Sequence, residues 1–414
     1  MARLFLSRLI ARRSSTRRLL LQSNNSLRVW RILIPLVAAV AFMPSQAKAQ
    51  FANVFNIPPL PDLPAQASVA DDSQVNLFPG GSIGDGFNAG RTDAANLNVE
   101  VNLLGGAIGK NFIANQGAVV NVLDGSIGPD SRALPGSKVN IMGSARVYLF
   151  AATSSIEVSD GASASGQLIL NRSSKLRISG GVISANVVAH ISDVYISGGT
   201  VERGLYGDLH VDRQSSLTIS GGRVERAIVV DDHSSFTMTG GVVGEAYVLN
   251  SHGTVAGGQI ETLSTGDSTI SIMGGAIKNL VSRGPVQIYG GAITDQIYAS
   301  PGCHLNFHGR QFALDGVDIT NQLILGQPLI ISERNVTLSG RYRDGTTFEI
   351  PLTSSSEGSG GRNRFFPGAS VSLHLVPEPC PHLLLLCGSL VGLYSGCARR
   401  EKRSLEQLSD NRAL

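Results

Sequence analysis

Residues 217–243 read LTISGGRVERAIVVDDHSSFTMTGGVV and hold one phrase twice. An apolar-polar-apolar triplet runs into Gly-Gly, and a Val follows two places later. Leu217 alternates with Ile219, and Phe236 with Met238, which is the period of a strand and not of a helix. Gly-Gly supplies positive φ for a sharp bend that a Cβ would oppose. A second apolar run, RAIVVDD, then ends in Asp, His and Ser, the chemistry of a polar turn. One repeat is therefore strand, glycine bend, strand, polar turn.

The phrase recurs outward in both directions. Taking its first Gly, or the Asp in that place, the series is Gly80, Gly105, Asp124, Gly143, Asp160, Gly180, Gly198, Gly221, Gly240, Gly257, Gly274, Gly290 and Gly309. The spacing averages about 19 residues, a period that means a solenoid or array. The bends are expected at the pairs Gly180 and Gly181, Gly198 and Gly199, Gly221 and Gly222, Gly240 and Gly241, Gly257 and Gly258, Gly274 and Gly275, and Gly290 and Gly291. A rung cannot bury its own apolar face, so rungs stack at ~4.8 Å around a column of Ile, Val and Leu. The expected fold is all-β: a single-stranded parallel β-helix of about 12–13 rungs over residues 76–312. Asp344-Gly345 between alternating strands marks a hairpin, so 313–353 is read as a C-terminal cap over exposed strand edges. Residues 50–75 are read as a Pro-rich linker and 354–376 as a flexible one.

The ends carry targeting signals. An Arg-rich start, the short apolar run RILIPLVAAVAFM, and Ala47 and Ala49 ahead of Gln50 read as a secretory signal peptide over 1–49. At the other end Pro377-Glu378-Pro379 precedes about eighteen apolar or small residues, long enough at ~1.5 Å per residue to reach across a bilayer as a transmembrane helix. Arg399 and Arg400 follow, and by the positive-inside rule stay cytoplasmic. Residues 377–403 resemble the PEP-CTERM sorting signal of bacterial exported proteins, with a polar tail, 404–414, beyond it. The resemblance implies signal peptidase and an exosortase-type sorting machinery as partners, membrane attachment through the C-terminal anchor, and a place at the cell surface or outer envelope.

Composition agrees with export. The whole chain has net charge +3, but the part between residues 50 and 376 holds 20 basic and 27 acidic side chains, a net of −7. Such a surface does not suit nucleic acid. Cys380, Cys387 and Cys397 fall in the anchor, leaving Cys303 alone outside it, so a disulfide framework is excluded there.

Two constellations merit a chemical reading. Glu202-Arg203 and Glu225-Arg226 hold the same place after successive bends, with Glu261 and Lys278 further along. Carboxylates one or two rungs apart match the separation used by glycoside hydrolases, but alternating Glu and Arg also neutralise one another on a solvated face. Asp208, His210 and Asp212, with Asp231, Asp232 and His233, offer oxygens for calcium or imidazoles for a transition metal. They sit where a polar turn is expected, so no cofactor is assigned. Thr218, Thr237 and Thr239 do not read as a constant outward array, which weakens an ice-binding reading. His304 falls on the opposite strand face from Cys303, which reads as an inert thiol. The expectation is an exported, structural or adhesive surface protein contacting polysaccharide or matrix; the alternative is a polysaccharide lyase or hydrolase on the same scaffold.

Overall fold

A computed structural model describes residues 51–91, 98–159, 161–202, 209–354 and 363–377. The chain is all-β there and winds as a parallel β-solenoid of about 13 turns. Among the described residues one 3-10 turn, Thr320–Gln322, interrupts the strands. No helix among the described residues is long and apolar enough to cross a membrane. The expected signal peptide and nearly all of the expected anchor lie outside the described residues.

The repeated phrase maps onto the rung directly. The strand Ser216–Ile219 pairs in parallel with Asp193–Ile196 on one side and Ser235–Met238 on the other. Ile219 stacks on Ile196 and Met238, and this register continues through Val255, Ile272, Ile288 and Phe307, all buried. Each such side chain gains about 1.5–3 kcal/mol from leaving water, which no rung alone could provide. After the bend, Arg223–Val230 places Val224 back in the core on Val201 and Val243.

The glycine pair is more specific than a demand for positive φ. In the seven pairs from Gly180-Gly181 to Gly290-Gly291 only the second member is left-handed, as at Gly222 with φ 75°, whereas at Gly80 and Gly105 it is the first. In those seven the first has ordinary φ, but a Cβ on Gly221 would strike the carbonyl oxygen of Ser197 on the preceding rung. Both glycines are therefore required, one by torsion and by contact, the other by contact alone.

The fold departs from expectation at both linkers. Asn53–Ile57, within the segment read as Pro-rich linker, pairs in parallel with Ser73–Leu77 and forms the first rung described. Its alternation buries Ile57, and the prolines that follow cost no ladder bond where no rung is described above them. Likewise Ser370–Leu375, read as flexible linker, pairs in parallel with His304–Gly309 and buries Val371 and Leu373. The expected hairpin is present as Thr337–Tyr342 against Thr347–Pro351. Thr337–Tyr342 also runs antiparallel to the second half of His304–Leu314, and Phe348 stacks on Tyr342 and Phe307 at 4.3 and 5.5 Å.

Candidate functional site

Outward-facing residues of successive rungs form columns, and these decide what the surface can do. Asn56, Asn76, Asn102, Asn121 and Asn140 stand directly over one another. Each amide donates to the carbonyl oxygen of the asparagine before it, at 2.9, 2.9, 2.8 and 2.7 Å. At Asn140 the next rung offers Glu157 instead, and the Asn140 Oδ1 has no donor among the described residues. Further down, Thr218, Thr237 and Thr254 occupy the same column, followed by Ser271. Threonines thus stack more than the text alone suggests, but Tyr195 bounds the run above and Gln287 below, and Thr239 lies outside it.

A second column is internal. Ser192, Ser215, Ser234, Ser251 and Ser268 are buried at the polar turn, and each of the first four donates its backbone N–H to the next serine's Oγ, at 3.0–3.1 Å. Neither column was singled out from sequence. The signal was there, as the Asn opening NLFPGG, NLLGG, NVLDG and NIMG and as recurrent Ser at the turns.

The acidic candidates resolve into pairs. Val201 faces Val224 in register, so Glu202 and Glu225 lie on adjacent rungs, but Gly244 separates Glu225 from Glu261. Glu202 accepts a bond from Ser184 Oγ at 2.6 Å, and Glu225 lies 3.9 Å from Arg223. Glu261 meets Lys278 at 2.9 Å. The bond and charge from that ammonium hold the Glu261 carboxyl below its ordinary range, opposite to what a general acid needs. Arg203 lies outside the described residues.

The histidine and aspartate turn spreads around a shallow depression of about 770 Å³. Asp212 binds the Nδ1 of His190, a residue not singled out from sequence, and lies 3.9 Å from His210. Asp232 and His233 both have left-handed φ, and the Asp232 backbone N–H donates to Asp231 Oδ1 at 2.7 Å. These are turn contacts. Among the described residues no three His, Cys, Asp or Glu side chains are placed to share a cation; Asp208 is outside them. Cys303 is fully buried, which pushes its thiol pKa up, while His304 faces outward to Ser370 at 2.5 Å.

Comparison of the chain with protein-family models, with curated proteins and with solved structures gives no match.

Proposed function

We propose that the protein is an exported, envelope-associated structural and adhesive protein whose solenoid meets extracellular polysaccharide, with no chemistry of its own. What supports this reading is that neighbouring rungs satisfy one another's outward groups. Asparagine amides pair with asparagine amides, Glu157 with Lys138 at 2.9 Å, and Glu261 with Lys278. A catalytic pair needs groups with pKa values pushed apart and facing one gap, and lateral pairing works against both. Repeated hydroxyl and amide columns suit weak, multiple contacts with a polymer of similar repeat.

The test joins location to binding. Mass spectrometry of the native surface fraction is expected to find a start at Gln50 and loss of the segment after Pro379. The same protein is expected to be retained on insoluble polysaccharide and to release no soluble sugar from it. Release that disappears in Glu202→Ala or Glu225→Ala would replace this reading with the hydrolytic one.

A further inference from the structure

A groove on the outer face arises where the rungs change shape. In the paired strands Ala118–Ala133 and Lys138–Ala152, Ile127 faces Val147 and Ser131 faces Leu149. Three residues, Gly128-Pro129-Asp130, therefore stand opposite the single residue Tyr148 and project as a lip. The lip is held in place. Pro129 accepts the Asn111 N–H at 2.9 Å, and Ser131, fully buried, donates its hydroxyl to the Gly128 oxygen at 2.7 Å. Beneath it, Tyr148 lies over Gly166 of the next rung, where a Cβ would come within 3.2 Å of the ring. Gln167 follows Tyr148 in register, and Ile169 follows Phe150. The half-open space is about 420 Å³ and is lined by Asp130, Arg132, Tyr148, Gln167 and Ile169 among others. That size lies in the ordinary range of ligand sites, roughly 300–1,000 Å³.

We propose that this groove binds a neutral polysaccharide, its chain crossing the rungs from beneath the Gly128-Pro129-Asp130 lip onto the face below; this rests on the polysaccharide reading above. Tyr148 and Ile169 offer apolar faces to the C–H face of a pyranose ring. Asp130 accepts, Arg132 donates in a fork and Gln167 does both, the complement of adjacent sugar hydroxyls. Asp130 offsets Arg132 within the lining, so hydroxyls are preferred there over ionised groups; Arg146 lies over the Tyr148 ring at 5.9 Å, outside that lining. The lip is preformed, so binding spends little on ordering it. Register continues the surface from Ile169 to Val188, His210, Val229 and Tyr247, a path of aliphatic and ring side chains along successive rungs at ~4.8 Å.

Calorimetric titration of the full-length protein with cellohexaose, mannohexaose and hexagalacturonate tests this. At least one neutral hexasaccharide is expected to bind, and more tightly than the acidic one. Tyr148→Ala and Arg132→Ala should each weaken it at least tenfold, while Tyr195→Ala, on the other face, leaves it unchanged. Arg132 is exposed, so its variant keeps the test valid even where Tyr148→Ala fails to fold. No binding of either neutral probe, tighter binding of hexagalacturonate, or equal affinity in the groove variants overturns the proposal. If those variants still adhere to insoluble polysaccharide as the native protein does, the groove assignment alone falls. If the native protein does not adhere, the adhesive reading falls with it.

Discussion

Gly221 and Gly222 stand side by side in the sequence, yet a methyl group added to each would meet a different obstacle. At Gly221 it meets the Ser197 carbonyl, a contact that depends on the rung above being in place. At Gly222 it meets the Gly198 oxygen at 2.6 Å and must also adopt φ 75°. Gly302 separates the two effects, since its φ is 83° but nothing lies within 4 Å of an added Cβ. Gly302→Ala is expected to cost about 1–2 kcal/mol, the price of the left-handed backbone alone. Gly222→Ala should cost clearly more, and Gly221→Ala should be costly despite normal torsion. Urea unfolding midpoints of the three variants measure this, and equal shifts would mean that the close stacking of bends is not what selects glycine.

Within an element, the alternation, the bend and the turn were legible because each is a local property with a fixed period. The columns were not, because an asparagine at position 76 gains a partner at 102 only through a register spanning the whole rung. The linkers were misread for the converse reason: proline content at 58–64 masked the alternation of Asn53–Ile57. The groove left no periodic trace, since Gly128-Pro129-Asp130 resembles any turn. At the last rung another column has a measurable consequence. His308 stacks between Tyr289 and His374, at 4.1 and 4.5 Å, and its Nε2–H donates to Gln287 at 2.8 Å. Burial, aided by the neighbouring His374, lowers its pKa to about 4. In the unfolded chain it titrates near ~6.5, so its contribution is fully present above that pH. Stability is lost as pH falls from ~6.5 towards 4, with no further loss from this group below 4. Because the ring is half-exposed, on the order of 1 kcal/mol is expected. Denaturation curves between those pH values check it; His308→Gln should flatten the slope, and an unchanged slope would assign it elsewhere.

At the scale of the whole solenoid, the last rung is built from distant pieces. His304–Gly309 takes its parallel partner from Ser370–Leu375, 66 residues later, with Ser372 bonded to Asn306 and His304 to Ser370. The intervening hairpin packs Phe348 over Phe307 before the chain returns. A chain ending at Ser354 would keep the hairpin but leave the edge of His304–Gly309 unpaired beside Leu305 and Phe307. Such edges template pairing between copies. The shortened protein is expected to bind more of a hydrophobic dye and to run as aggregates in size exclusion, and a monomer with unchanged melting would contradict this. The arrangement also sets an order in time. Synthesis proceeds from the amino end, so every rung but one can be completed as its residues emerge, while the last waits for residue 375. Only a chain read through to that point is sealed, and a product of interrupted synthesis declares itself by its open edge.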